Sequence, residues 1–277
     1  MIDASVLEPK NPSFTVGIGR FAMIGVLAAA LGACATPPPD TDAAAKQAYI
    51  EANDPLEPMN RAVFEFNRVA DKIILKPVAT VYHNAVPTFA QDMIRNFLDN
   101  LKQPLNIANA LLQGNPDRAG QAFGRFTGNT IIGLGGVFDV MTNLPKVEED
   151  FGQTLAVWGL GEGPYLMLPI LGPSNPRDTA GLVVDAVADP LNWYARTHDL
   201  DWVAPTRFIV SGIDFRSRNL QTMDDIEANA LDFYATVRSL ARQRRMDQVR
   251  NGNPAPVPMK QGEDDMSPPR PVALKAN

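Results

Sequence analysis

The stretch NDPLEPMNRAVFEFNRVADKIILKP (Asn53–Pro77) sets the fold class. Met59, Val63, Phe66, Ala70 and Ile73 recur at alternating steps of four and three, the period of one apolar stripe on an α-helix. Asn53 or Asp54 is placed to cap that helix, and Pro77 to end it, because proline lacks the N–H that would continue the ladder. The same period returns along the chain. Thr88 caps a second helix with Ile94, Phe97, Leu98 and Leu101 on its buried side, and Pro104 starts a third that carries Ile107, Ala108, Leu111 and Leu112. Asn115-Pro-Asp117 opens a fourth through Phe123 and Phe126. Ser174 caps another, with Leu182, Val183, Ala186 and Val187, ended by Pro190. From Pro205 to about Arg250 two helices are expected, broken near 221–224, with Ile226, Ala230, Phe233, Val237 and Leu240 on one face. No sustained period-2 alternation bounded by hairpin turns stands out. The expectation is all-α. With 24 prolines and 20 glycines, the helices should be short, bent or joined by tight corners.

Outside this body the composition changes. Phe21–Leu31 is an uncharged apolar run of eleven residues, long enough for a secretory core and too short to span a bilayer. Leu31-Gly-Ala-Cys34 follows and looks like a bacterial lipobox, with cleavage between Ala33 and Cys34 and acylation of Cys34, the single cysteine of 277 residues. Residues 1–33 are then a lipoprotein signal peptide. Its first fourteen residues are longer and more acidic than is typical, which points to a start codon downstream. Several acyl chains on one residue hold a protein firmly to a membrane. Ala35 after Cys34 favours outer-membrane sorting by the rule known for such lipoproteins. Residues 34–52 read as the lipidated Cys and a flexible tether, 53–251 as the helical domain, and 252–277, with six prolines, as a disordered tail. After Cys34 the longest stretch without Asp, Glu, Lys or Arg is the fifteen residues from Pro77 to Gln91, so no conventional spanning helix is expected.

A net charge of −6 argues against a nucleic-acid partner. Catalysis finds little support. The two histidines, His83 and His198, have no metal-ligand spacing, and Gly133-Leu-Gly-Gly136 lacks the pattern of a phosphate loop. Ser174, in Gly-Pro-Ser-Asn-Pro, is not a lipase elbow. No catalytic residue, metal or cofactor is assigned. Other features stay open between two readings. Gly120, Gly124 and Gly128 form a glycine face that permits close approach of a neighbour, or a coincidence in a frayed helix. Trp158, Trp193 and Trp202, with Tyr165 and Tyr194, serve either a core or a headgroup-level belt. Arg238, Arg242, Arg244, Arg245 and Arg250 complement a helix dipole, or dock an acidic partner or phosphate headgroups. The apolar, glycine- and proline-broken segments 131–138 and 163–173 are buried connectors, or irregular elements at an acyl boundary or an amphipathic cavity.

Asn53-Asp-Pro-Leu-Glu-Pro-Met-Asn-Arg61 with Phe64-Glu-Phe-Asn67 resembles the opening motif of the VacJ/MlaA outer-membrane lipoproteins. Phe97-Leu-Asp-Asn-Leu101, Arg125-Phe-Thr-Gly-Asn-Thr130, Gly133-Leu-Gly-Gly136 and Asp150-Phe-Gly-Gln-Thr154 extend the resemblance. Trp158-Gly-Leu-Gly-Glu-Gly-Pro-Tyr165 and Leu168-Pro-Ile-Leu-Gly-Pro-Ser174 complete it, in order, from about Asn53 to Tyr194. The resemblance implies a ring of short helices lying in the inner leaflet of the outer membrane. It implies a central amphipathic passage for phospholipids mislocalised to the outer leaflet, handed to a soluble periplasmic carrier of the Mla type. It also implies a trimeric porin alongside, and no catalysis. On that basis Met59, Asn60, Gly133, Gly135, Gly136 and Tyr165 are the candidate passage residues. The alternative is a lipid-anchored scaffold that binds a porin without moving lipid, and a weaker third reading is a lipid hydrolase using Ser174.

Overall fold

The computed structural model describes residues 43–251, so the leader, Ala33, Cys34 and the tail 252–277 lie outside the described residues. Short helices follow one another: α1 (Ala43–Ala52), α2 (Glu57–Ala70), a π-helical turn (Asp71–Leu75), α3 (Lys76–Ala85), α4 (Thr88–Leu112), α5 (Pro116–Ile131) and α6 (Phe151–Val157). After a small hairpin, β1 (Leu166–Leu168) and β2 (Gly172–Ser174), come α7 (Pro176–Ala188), α8 (Pro190–Thr197), α9 (Val203–Arg218), α10 (Leu220–Asn229) and α11 (Phe233–Val249). Residues 43–52, read as flexible tether, are therefore helical, as the strong helix formers in Ala-Ala-Ala-Lys-Gln allow.

Both prolines expected to break helices are instead absorbed. Pro77 sits at the start of α3, and the turn before it widens so that Lys76 N–H reaches back five residues to Asp71 O. A π-turn of this kind relieves the clash between a proline ring and the carbonyl four residues earlier. Pro104 lies inside the 25-residue α4, so the expected second and third helices are one. The start signals shift too. Leu56, not Asn53 or Asp54, precedes α2, and it offers no side-chain cap. Pro87 precedes α4, making Thr88 its first residue. Asn115 caps α5 as expected, accepting from Arg118 N–H at 3.2 Å, whereas the cap of α7 is Asn175 and not Ser174. The C-terminal breaks fall at Asn219 and at 230–232, where Asp232 caps α11, so the stripe from Ile226 to Leu240 is divided between α10 and α11. The segment 163–173 supplies the one paired element missing from the all-α expectation, with Met167 opposite Pro173.

The elements close into a ring. Starting from α2, the π-turn and α3, contact passes to α9, then to α4, α6 and α11, then to β2 and β1, and so back to α2. Helices α5, α7, α8 and α10 pack as a second layer on α4, α6, α9 and α11. Among the described residues the buried apolar cluster is small: Phe64, Tyr165, Met167 and Tyr234, with Val63, Phe233 and Val237 against it. Phe64 meets Phe233 and Tyr234 edge-on, with centroids 5.2 and 5.5 Å apart.

Most of the apolar stripes face outward, the reverse of the expected burial. Phe66, Ile73, Phe97, Leu111, Leu112 and Phe123 are exposed, as are Leu182, Val183 and Val187 of α7. All three tryptophans are more than half exposed, at 57%, 67% and 64% for Trp158, Trp193 and Trp202. The interior is polar. Asn100, Gln103, Asn106 and Asn109 form a buried stripe along α4, joined by Arg125, Asn129, Gln153, Thr154 and Asp214. Among the described residues no helix is long and apolar enough to cross a membrane.

Glycines mark where this inverted packing is tight. A methyl group on Gly136, at φ +96°, would lie 2.3 Å from Asn100 Cβ, while one on Gly120 would meet nothing within 4 Å. Gly136→Ala should therefore cost several kcal/mol and Gly120→Ala should stabilise by about 0.5–1 kcal/mol. Thermal unfolding of the two purified variants checks both signs.

Candidate functional site

Inside the ring lies a cavity of about 550 Å³ whose wall is formed mainly by α4, α9, the 139–150 segment and the end of α11. Polar side chains build that wall because α4 turns its amide stripe inward. Asn106 donates to Val147 O at 2.8 Å and accepts from Glu149 N–H at 3.3 Å, treating the loop as an extra strand. Asn109 accepts from Thr154 Oγ1 at 2.9 Å and donates to Asp185 at 3.1 Å. Each amide satisfies groups that would otherwise be buried without partners.

The loop after α5 is held by two residues of that helix. Buried Arg125 donates through Nη1 to Met141 O (2.7 Å) and Leu144 O (2.6 Å) and through Nη2 to Asp139 (2.6 Å). Asn129 donates to Asp139 and accepts from Val140 and Met141 N–H. The glycine face has a partner, and it is this loop: Gly124 and Gly128 make room for the side chains of Leu144 and Met141.

The arginines of α11 are mostly structural. Arg238 binds Asp54 at 2.7 Å, and Arg242 binds Glu162 at 2.7 Å. Arg245 forks between Asp150 and Asp178, making four bonds of 2.6–2.8 Å. These ion pairs to other elements, rather than the helix dipole, account for three of the five arginines. Burial pushes the Asp150 and Asp178 carboxyls up, but the hydrogen bonds and charge of Arg245 prevail and hold both below the usual carboxylate range. Neighbouring Asp185 moves the other way, because burial outweighs its bonds to Phe151 N–H and Asn109.

A second cavity, of about 730 Å³, lies on the far side of Phe215 and has a more apolar lining that includes Leu171, Leu182, Met223, Ile226 and Val237. It shares Asp150, Phe215, Arg244 and Gln248 with the first. A third, open hollow of about 600 Å³ shares Lys146, Glu148, Arg244 and Gln248 with the polar cavity. The three hollows thus adjoin at Arg244 and Gln248, one of them mainly polar and one mainly apolar. Such an arrangement offers separate surroundings to the two ends of an amphipathic molecule.

The six residues selected from sequence fall in three places, and none lines the central polar cavity. Fully buried Asn60 donates to Asp54 (2.7 Å) and Tyr165 O (3.0 Å) and accepts from Met167 N–H (2.9 Å), pinning α2 to β1. Met59, beside it, is half-buried. Tyr165 belongs to the apolar cluster and reaches the edge of the apolar cavity. Gly133, Gly135 and Gly136 form the corner after α5, where Asn100 donates to Gly135 O at 3.3 Å. That corner supports Asn100, which does line the polar cavity. The lining missed from sequence was the amide stripe of α4, whose steps of three and four were present but hidden among apolar residues. Both irregular segments present apolar tips: Ile131, Ile132 and Leu134 on one, Ile170 and Leu171 on the other. Ser174 Oγ lies 2.9 Å from Thr179 Oγ1. Among the described residues, no acidic, histidine or cysteine cluster could hold a metal.

A helical ring, apolar on its rim and polar at its centre, defines a class of lipid-handling architecture rather than a conventional globule. The comparisons agree. The family model described as MlaA lipoprotein matches residues 52–248, and this chain belongs to that family. It is 37% identical over 208 residues to the intermembrane phospholipid transport system lipoprotein MlaA of Shigella flexneri, covering 72% of this chain and 79% of that one. The Escherichia coli protein of the same name is 36% identical over 208 residues, covering 72% and 79%. An uncharacterized protein of Rickettsia bellii is 38% identical over 203 residues, covering 72% and 78%. A solved structure from work on the structural basis for maintenance of bacterial outer membrane lipid asymmetry aligns with a TM-score of 0.64 and 36% identity. It covers 72% of this chain and 99% of that one.

The Arg245 fork has a defined acid signature. Carboxyls whose folded pKa is depressed add stability above the unfolded value of about 3.8, and that stability is lost as pH falls through the folded pKa. Asp178→Asn should lower the thermal midpoint at pH 7, and the gap from wild type should close as pH falls below about 4. Thermal unfolding from pH 2.5 to 7 measures it; a constant gap would assign the loss to packing instead.

Proposed function

We propose that this protein, anchored through acylated Cys34, sits in the periplasmic leaflet of the outer membrane and removes mislocalised phospholipid from the outer leaflet. It passes that lipid to a soluble periplasmic carrier for retrograde transport, and so maintains lipid asymmetry. The observation that carries this reading is the joined pair of cavities, one polar and one apolar, inside a ring whose rim is apolar. An outward apolar surface of this extent is unstable in water and stable against acyl chains. With no spanning helix among the described residues, a ring resting in one leaflet is the arrangement that buries the rim. Trp193, Tyr194 and Trp202 then lie at headgroup level. The relatives' name, intermembrane phospholipid transport system lipoprotein, supports the same activity.

A trimeric porin is the expected neighbour, seated against part of the apolar rim. The scaffold reading uses the rim alone and leaves the cavities without a role. The two separate by outer-leaflet phospholipid exposure, measured by lipase-dependent acylation of lipopolysaccharide, in cells with and without the protein. Deletion should raise exposure, and the intact chain should reverse it while Cys34→Ala should not. No change on deletion, in cells lacking a second removal route, would favour the scaffold.

A further inference from the structure

The charges on the polar wall are nearly all spoken for. Arg125 pairs with Asp139, Lys146 with Asp99, Arg218 with Asp214, and Arg245 with Asp150. Arg244 is different. It is exposed, and among the described residues its guanidinium makes no hydrogen bond or ion pair. It also lines the polar chamber, the open mouth and the apolar chamber alike. Lys102 is likewise unpaired, but it lines the polar chamber only. Glu148 and, on α11 itself, Asp247 are the unpaired carboxylates beside it, and neither forms a salt bridge with Arg244.

The geometry points to Arg244 as the residue that holds the phosphate of a transiting phospholipid. A glycerophospholipid carries its phosphate between a polar headgroup and apolar chains, and Arg244 stands where the polar and apolar chambers meet. A guanidinium presents two parallel N–H donors to phosphate oxygens, which fixes orientation as well as charge. Its neighbour Arg245 is locked by two carboxylates, and this holds α11 still while Arg244 stays free for a ligand. The ligand class is therefore a phosphodiester lipid, with neutral diacylglycerol excluded from this contact. This inference rests on the transport reading above and names a selectivity residue within it.

The test uses the full acylated chain purified from membranes. Wild type, Arg244→Gln, Arg244→Lys and a control, Arg196→Gln, are incubated with mixed micelles of dioleoyl phosphatidylethanolamine and dioleoylglycerol. Arg196 is exposed on α8 and lines none of the three cavities. Lipid retained per protein is counted by mass spectrometry. Arg244→Gln should lower retained phospholipid at least about tenfold without lowering diacylglycerol, since a charge-assisted bond is lost. Arg244→Lys should keep most of the binding, and Arg196→Gln all of it. Undiminished phospholipid on Arg244→Gln overturns the assignment and leaves transport standing, whereas equal loss of both lipids makes the residue a packing element. Wild type that retains no phospholipid, in a strain where deletion leaves outer-leaflet exposure unchanged, overturns the transport reading itself.

Discussion

Asp54 is 2% exposed and accepts bonds from Asn60 on α2 and from Tyr234 and Arg238 on α11, so one carboxylate joins the beginning of the ring to its end. Asn60 carries the join onward to β1, and Tyr165 N–H donates to Asn53 O at 2.8 Å. A carboxylate withdrawn from water costs several kcal/mol unless paired and hydrogen-bonded. Here it has a guanidinium and two neutral donors, one of which, Tyr234, belongs to the apolar cluster around Phe64. Burial and the bond to Asp54 push the Tyr234 phenol well above its ordinary pKa, so it remains a donor. The ring's closure is thus a polar event braced by a small core.

The same rule governs the whole interior. A hollow ring of short helices cannot fill its centre with aliphatic side chains and still keep a passage. Its walls must be polar, and the bonds of Asn106, Arg125 and Arg245 hold them in place. The apolar side chains displaced from the centre go to the rim. In water such a surface would drive aggregation, and against acyl chains it is solvated. The fold is therefore matched to a membrane setting even though no described helix spans one.

Helical periodicity reports that a helix has an apolar face, and it does not report what that face meets. This is why Met59 to Ile73 identified α2 while giving the wrong environment for Phe66 and Ile73. The helices around Phe97, Phe123 and Leu182 were legible for the same reason, and were inverted for the same reason. Pro77 reads as a helix end and Pro104 as a helix start, by a local rule that holds where nothing compensates. A π-turn before Pro77 supplies the compensation there, and Pro104 is carried inside the continuous α4. Asn60 is legible as a special position, yet two of its three partners lie 105 and 107 residues away and no local pattern encodes them. The arginine run on α11 was conspicuous in sequence. Its division into paired and free members depends on Asp150 at the start of α6, Asp178 of α7, Glu162 before β1 and Asp54 before α2.

That division bears on how such a site can be both stable and permissive. A fixed guanidinium between two carboxylates contributes rigidity and offers a ligand little, because its donors are already engaged. A free guanidinium contributes little rigidity and keeps every donor available. Placing the two kinds side by side on α11 separates the tasks by one residue, and roughly 100° of helical rotation turns them toward different surroundings. Arg245 faces Asp150, which caps α6, and Asp178 of α7, while Arg244 faces the meeting of three hollows. On the proposed reading, a passage for lipids needs contacts that recognise a phosphate without trapping it. One unshared cation in a hydrated, open junction meets that need better than a closed anion pocket would.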